Sequence, residues 1–445
     1  MKWSRYSKFF QSKRNGWLLY NSASGAFLEI GEETVPVISE IMENAATFDF
    51  SGAVGLYFQL RNNGFLVEDT GDRDFLHILK MRRLSCNYAM NSMTLTIAPT
   101  RNCNFGCPYC YENNRTPSMM SDETVENILN FIKAYKSVKK LRIAWYGGEP
   151  LLAYRKIKKI NQGIGELDIP YSSFMVTNGY CLTPKICEEL NELRLDRIQI
   201  TIDGDKETHN SRRFLIGGGK TFERIMNNMD TLLRSSWNGD IHLRVNVDAT
   251  NCEQFARVYH MIQDRYEEEM LERIYIYPGF VSGEETNPDI SCFFDSEAKG
   301  NFIAKLAREE KIAPLPIFPY IKCGGCTLIQ KNSYVIGPEG ELYKCWHDMG
   351  EKDRVIGNVA PHSQWNTALL AEGMVSGNYL GDEECEDCML FPVCDGGCPQ
   401  VRMLNNRDGK KRDHCSYFKN NLEGLLEVYY EQKYAQKDKI ESISS

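Results

Sequence analysis

No uninterrupted apolar run in the 445-residue sequence approaches the ~20 residues that span a bilayer, so no membrane partner is expected. The opening stretch, MKWSRYSKFFQSKRNGW, carries charge but lacks the apolar core of a secretory signal. An excess of positive charge is missing too. Lys and Arg number 52 against 60 Asp and Glu, a net charge of −8, which gives nucleic acid no bulk electrostatic support. The basic run Lys133, Lys136, Lys139, Lys140 and Arg142 reads as the solvated end of a helix. Arg407 to Arg412 reads the same way, and at most rims a site. Hydrophobic residues at 42% and charged residues at 25% describe an ordinary globular protein, long enough for about three domains.

What the sequence has in quantity is cysteine, sixteen in all. Without export signals, this points to a reducing, cytoplasmic compartment, where cysteine patterns mean metal or catalysis rather than disulfides. Cys103, Cys107 and Cys110 lie in CNFGCPYCY, separated by three and then two residues, with Tyr109 and Tyr111 around the last. Thiolates are the usual ligands of iron–sulfur clusters. A [4Fe–4S] cube has four irons, so three cysteines leave one iron open to bind and reduce a small molecule. The competing readings are a zinc knuckle or three buried thiols. Zinc normally closes with a fourth nearby Cys or His, and this loop has none.

Residues 93–300 alternate strand and helix, the mark of a parallel sheet covered by helices. The strands read as MTLTIAP, LRIAWYG, SFMVTNG, RIQITIDG, IHLRVNVD and RIYIYPGF. The helices between them read as ETVENILNFIKAY, KIKKINQGI, KICEELNEL, TFERIMNNMDTLL and EQFARVYHMIQDRY. The expectation is an α/β fold, a partial (β/α)6 TIM barrel with its site at the strand C-termini. Each polar motif falls there. The cysteine loop follows the first strand, Gly147-Gly148-Glu149-Pro150 the second, and Thr177-Asn178-Gly179 the third. Asp203-Gly204 ends the fourth, and Asn246 with Asp248 the fifth.

The CX3CX2C spacing with its aromatic, followed by these motifs in this order, resembles the radical S-adenosyl-L-methionine (radical SAM) superfamily. The resemblance implies an open iron chelated by the methionine part of SAM. It also implies cleavage of SAM to a 5′-deoxyadenosyl radical, which abstracts hydrogen from an unactivated carbon. GGEP resembles the family's SAM-amine site, where Gly147 and Gly148 allow close backbone approach, Glu149 accepts from the ammonium, and Pro150 closes the motif. A plain turn is the alternative for the glycines. The run DGDKETHNSRR resembles the stretch whose arginine, ten residues past the aspartate, meets the SAM carboxylate. That arginine is Arg213, with Arg212 beside it; a surface ion pair is the alternative. Tyr109 and Asn178 are further expected cofactor contacts. Asn178, Asn246 and Asp248 either line the ribose or substrate site or make structural hydrogen bonds. His209 reads as structural.

Cysteine density rises again after residue 320. Cys326 is followed by thirteen residues, Gly340, four residues and Cys345. Then come Cys385-x2-Cys388-x5-Cys394-x3-Cys398 and Cys415. The pattern resembles the seven-cysteine SPASM extension of radical SAM peptide and protein maturases. It implies two auxiliary [4Fe–4S] clusters, for three clusters in all. The first takes Cys326, Cys345 and Cys398, with Cys323 as a fourth ligand or with an open iron; the second takes Cys385, Cys388, Cys394 and Cys415. Structural zinc is the rival reading. Cys86, Cys181, Cys187, Cys252 and Cys292 have no ligand spacing and are expected as small buried residues.

Residues 1–90 read as a hairpin around NSASG (17–30), a helix with Val35, Ile38, Ile41 and Met42 on one face, a second helix ending near Asn62-Asn63-Gly64, and a short strand. This is a winged-helix-like module. It resembles the peptide-recognition element of maturases, which binds a leader peptide as an added strand. The domains expected are therefore 1–90, a barrel at 93–300, a bridging segment at 301–320, a SPASM domain at 321–425 and a polar tail at 426–445.

The resemblance implies a maturase of a ribosomally made precursor peptide, reduced by a small donor such as flavodoxin or ferredoxin. A Cys sulfur-to-carbon thioether of the sactipeptide or ranthipeptide kind is the leading product, ahead of carbon–carbon or ether crosslinks. An anaerobic sulfatase-maturating enzyme is the alternative. Those usually carry an aspartate directly after the equivalent of Cys345 and lack the N-terminal module. Here Trp346, His347 and Asp348 follow, so His347 and Asp348 are candidate proton-transfer groups. A non-catalytic peptide-binding or electron-transfer partner is the reading of another class.

Overall fold

The computed structural model describes residues 1–112, 116–281, 294–312 and 315–443, and only the backbone of 434–443. Cys292 lies outside the described residues. The chain divides into two compact units. One comprises Met1–Asn87, Asp295–Cys326 and Ser376–Ser445; the other comprises Tyr88–Phe294 and Thr327–Val375. The stretch 321–425, expected as one extension, is thus shared between them. Among the described residues no helix is long and apolar enough to cross a membrane.

The first unit begins with β1 (Lys2–Trp3), β2 (Ser7–Ser12), β3 (Gly16–Asn21), β4 (Phe27–Ile30) and β5 (Leu66–Val67). β2, β3 and β4 form an antiparallel sheet in that order, and β1 pairs with β5. The β3–β4 turn is shaped by Asn21, whose Oδ1 accepts from the backbone N–H of Ala23 and Ser24, both at 2.9 Å. Ile38 and Ile41 of the helix Val35–Asn44 are fully buried with Leu19, Leu60, Phe65 and Leu66, whereas Met42 is exposed. A helix at Gly71–Asn87 is additional to the sequence reading. Its apolar stripe, Leu76 and Leu79, is interrupted by Arg83, a charge at a core position. Arg83 is fully buried because it donates to the carbonyls of Phe391 (2.8 Å), Pro392 (3.0 Å), Cys394 (2.9 Å) and Lys322 (3.2 Å).

The second unit is built on nine strands. The six read from the sequence are β6 (Ser92–Ile97), β7 (Lys140–Trp145), β8 (Tyr171–Thr177), β9 (Leu195–Ile202), β10 (Asp240–Val247) and β11 (Ile274–Phe280). They run parallel, each beside the next. β12 (Ser333–Ile336) adds in parallel to β6, followed by antiparallel β13 (Glu341–Tyr343) and β14 (Gly357–Asn358). Alternation sorts the faces. Ile198, Ile200 and Ile202 of β9, and Ile241, Leu243, Val245 and Val247 of β10, are fully buried. Helices bring matching apolar faces, such as Ile225, Met226, Met229 and Leu232 on Phe222–Arg234. Each such side chain contributes roughly 1.5–3 kcal/mol on burial. The opposite face is polar: Tyr277 donates to Gln199 Oε1 at 2.6 Å across Arg244, whose Nε donates to Asn246 Oδ1 at 2.8 Å. Caps start the helices in register, with Ser121, Thr183 and Asp205 side chains accepting from Thr124, Ile186 and Thr208 N–H.

Candidate functional site

The cysteine loop leaves β6 and is clasped by the turn after β7. Gly148 N–H donates to Thr100 O at 3.2 Å and Glu149 N–H to Asn102 O at 2.9 Å. The two backbones run so close that a Cβ on Gly147 would stand 2.3 Å from Thr100 O, and one on Gly148 2.4 Å from Asn102 O. Gly147 also has φ +114°. The glycines therefore hold the turn against the cysteine loop itself.

Glu149 is fully buried and accepts from Asn178 N–H at 2.7 Å, Thr177 Oγ1 at 2.8 Å and Leu151 N–H at 3.0 Å. Burial raises its pKa, and these hydrogen bonds work against the rise. Pro150 follows, buried, in the short helix Pro150–Ala153 that Glu149 caps. Asn178 extends the brace, its Nδ2 donating to Asn104 Oδ1 at 2.8 Å within the cysteine loop.

The arginine pair after β9 divides its labour. Arg212 is spent on carboxylates, with Nε 3.2 Å from Asp203 and Nη2 2.8 Å from Asp248. Arg213 is buried, and its Nη1 donates to Tyr109 OH at 3.0 Å. Its Nε has no hydrogen-bond partner, a desolvated cationic donor that a ligand carboxylate would satisfy. Tyr109 OH also accepts from Asn246 Nδ2 at 3.2 Å, so the tyrosine joins the cysteine loop to β10. Asp248 accepts from Arg212 and Thr250: burial opposes its charge, but these two hold its pKa below the ordinary carboxylate value. His209 is fully buried, its Nε2 3.0 Å from Thr221 Oγ1; burial and Arg213 hold its pKa well below 6.5.

Burial pushes the Cys103 thiol up to about 12 and Cys110 to about 11, and raises Cys107 as well. A group ligated by these sulfurs must itself bring the positive charge that holds them as thiolates. Three thiols on one loop beside an unsatisfied guanidinium fit an iron–sulfur cluster with a SAM-like carboxylate nearby. Among the described residues no three His, Cys, Asp or Glu converge as they would on a single metal ion.

Sequence reasoning did not foresee the aromatic group beside this loop. Tyr111 OH and Tyr146 OH are 2.7 Å apart, Tyr111 stacks on His347 with ring centroids 4.4 Å apart, and Tyr146 stacks on Trp346 at 5.4 Å. The motif after Cys345 is thereby tied to the residue after Cys110. Asp348 follows His347 in the one-turn helix Trp346–Asp348.

In the first unit, Cys385 and Cys388 share one turn, Cys388 N–H donating to Cys385 O at 3.1 Å, and Cys394 and Cys415 come from two others. Gly396 and Gly397 bring two of those turns together. Both have positive φ, and a Cβ on Gly397 would stand 1.5 Å from His414 O. Cys398 N–H donates to the same carbonyl at 3.2 Å. Arg402 is buried, with Nη2 3.1 Å from Cys385 Sγ, and Lys419 Nζ is 3.4 Å from Cys388 Sγ. Cationic donors aimed at cysteine sulfurs fit a thiolate-bound cluster. Each follows a cysteine by four residues, Arg402 after Cys398 and Lys419 after Cys415, a spacing that the sequence carried. Cys323 and Cys326, with Lys322, Gly324, Gly325 and Asp395, line a cavity of about 420 Å³. Cys345 belongs to the other unit. Of the five cysteines without ligand spacing, Cys187 is buried as expected, Cys181 and Cys252 are half-buried, and Cys86 is exposed because it ends a surface helix.

Residues 97–262 match the Radical SAM superfamily. This segment is similar to radical SAM domains. The chain stands among enzymes by this kinship, and SAM with a [4Fe–4S] cluster is the expected cofactor set. A cysteine-type anaerobic sulfatase-maturating enzyme of Clostridium perfringens is 21% identical over 348 residues, which cover 70% of this chain and 90% of the relative. The radical SAM cyclopropyl synthase TigE of Paramaledivibacter caminithermalis is 22% identical, over 52% of this chain and 54% of the relative. An uncharacterized protein of Methanocaldococcus jannaschii is 32% identical over 114 residues, and the chain spans only 38% of its length. Among solved structures, native anSMEcpe with bound AdoMet and Cp18Cys peptide has a TM-score of 0.56 at 16% identity, covering 78% of this chain and 99% of that one. Streptococcus suis SuiB bound to precursor peptide SuiA has 0.52 at 15% identity, covering 94% and 98%. At such identities these likenesses establish the fold.

Proposed function

We propose that this protein is a radical SAM maturase of a ribosomally made peptide, forming an intramolecular crosslink, in first place a Cys sulfur-to-carbon thioether. The observation that carries the SAM reading is the buried Arg213 with its unsatisfied Nε beside Cys103, Cys107 and Cys110. With these cysteines ligating iron, the bound cluster and SAM supply a 5′-deoxyadenosyl radical that abstracts hydrogen from an unactivated carbon. Arg213 Nε holds the SAM carboxylate. Glu149 keeps the Gly147–Gly148 turn against the cysteine loop through Asn178 and Thr177. Tyr109 fixes Arg213 by accepting from its Nη1. His347, stacked on Tyr111, would take a substrate proton, with Asp348 as the other candidate. Cys385, Cys388, Cys394 and Cys415 hold one auxiliary cluster, and Cys323, Cys326 and Cys398 supply ligands to the other.

A peptide substrate is supported by the N-terminal module. Among the described residues β4 pairs with β3 alone, leaving an edge on which an extended leader adds as a strand. The fold shared with SuiB, solved with its precursor peptide, extends over 94% of the chain against 78% for anSMEcpe. A sulfatase-maturing activity is the second reading, favoured by the 70% of this chain that aligns with the Clostridium perfringens enzyme. Trp346 in place of the usual aspartate weighs against it.

The test is mass spectrometry of a short cysteine-containing peptide co-expressed with this protein, before and after thiol alkylation. Loss of two hydrogens per modification, with the cysteine refusing the reagent, is expected. The same loss with every cysteine still alkylated assigns a carbon or oxygen crosslink. No change while SAM is still cleaved favours the sulfatase reading.

A further inference from the structure

We propose that Arg402 and Lys419 raise the reduction potential of the cluster held by Cys385, Cys388, Cys394 and Cys415, making it the ready electron acceptor of the enzyme. This rests on the reading of those four cysteines as cluster ligands. Arg402 lies on the helix Pro399–Asp408 and is buried. Its Nη2 donates to Cys385 Sγ at 3.1 Å and to Gly396 O at 2.9 Å, while its Nη1 is anchored by Asp382. Asp382 also caps the helix Glu383–Glu386, accepting from Cys385 N–H at 3.2 Å. Arginine and cysteine are thus locked in one small frame. Lys419 donates to Cys388 Sγ at 3.4 Å, and among the described residues no carboxylate lies within ion-pair distance of its ammonium.

A cube ligated by four thiolates is anionic, and reduction adds one more negative charge. Hydrogen bonds and positive charge at the ligand sulfurs stabilise the reduced form more than the oxidised one, so the potential rises. The electron balance closes on one electron. As the sulfur–carbon bond forms, the substrate-centred radical gives up one electron and the thiol proton is released. A cluster held by these four cysteines would take up that electron.

The test is an EPR-monitored redox titration of the full-length chain reconstituted with iron and sulfide. Cys103, Cys107 and Cys110 are replaced by Ala to remove the SAM-site signal. Lys419→Met and Arg402→Gln are each expected to lower one remaining midpoint by a factor of about ten in the reduction equilibrium, about 59 mV for one electron. The other midpoint stays in place, and Lys419→Arg restores the shifted one. If Arg402→Gln does not hold iron, Lys419→Met decides, because Lys419 is exposed and its loss leaves folding intact. Unmoved midpoints overturn the proposal. Iron analysis separates this from failure of the underlying reading. Cys385→Ala with Cys388→Ala must remove about four irons per chain. Undiminished iron overturns the cluster reading and the tuning with it, whereas a four-iron loss with unmoved midpoints overturns the tuning alone.

Discussion

The two cysteine centres reach similar chemistry by opposite routes. In the barrel the three thiols share one nine-residue loop, and burial, the largest cause, with nearby acidic groups drives Cys103 to about 12 and Cys110 to about 11. A tight clasp of glycines against backbone carbonyls shapes that loop, with Asn178 bracing it through Asn104. In the first unit the four thiols come from three separate stretches of chain, and two cationic side chains already point at sulfur. The first centre keeps an unsatisfied guanidinium for a ligand from outside; the second is furnished from within. One centre leaves a donor open beside its thiols, whereas the other already has cations on its sulfurs.

The comparison breaks most severely at the thiols. Cys107→Ala is expected to reduce SAM cleavage to background, read as 5′-deoxyadenosine by chromatography, whereas Cys388→Ala spares that cleavage and stops crosslinking. Next come the glycines. Gly397→Ala is expected to cost about 3 kcal/mol or more in thermal or chemical denaturation, because its Cβ collides with His414 O in a left-handed backbone. Gly148→Ala is expected to act on the barrel alone, lowering iron by about four per chain while the other cysteine centre still loads. Arg213→Met should weaken SAM about tenfold to hundredfold in calorimetry, the ~1.5–3 kcal/mol of a charge-assisted hydrogen bond. Unchanged affinity would remove Arg213 from the cofactor site.

A smaller effect concerns pH. Folded His209 stays neutral well below its ordinary 6.5, while the unfolded chain takes up the proton. Stability is therefore full above about pH 6.5 and falls by about 1.4 kcal/mol for each pH unit below it. His209→Gln is expected to flatten that slope in denaturation midpoints between about pH 7 and pH 5. Least of all, Lys419→Met should leave the unloaded protein within about 0.5 kcal/mol of its stability, since an exposed lysine packs against little.

Much of the barrel was legible in the sequence because its determinants are local. Strands such as RIQITIDG alternate isoleucine with polar residues, and helices such as Phe222–Arg234 repeat apolar residues every three or four positions. Both patterns report which face meets the core. The helix Gly71–Asn87 escaped because Arg83 sits where an apolar residue is expected. Only carbonyls contributed more than two hundred residues later make that burial tolerable. The strands β12 to β14 were absorbed into the cysteine-rich extension for the same reason. A short strand has no periodicity of its own, and its place beside β6 is a long-range pairing.

The donor types and their spacing stood in the sequence: three thiols at one spacing, four at another, and a basic residue ten positions past Asp203. Those are covalent neighbours, and their chemistry does not wait for folding. Tertiary structure alone decided how each was used. It committed Arg212 to Asp203 and Asp248 and left Arg213 with a free donor. It turned Glu149 into a brace for the cysteine loop, and it placed Arg402 and Lys419 on the sulfurs of Cys385 and Cys388. Each outcome depends on distances between segments far apart in the chain, set by the packing of elements and not by any residue's own preference.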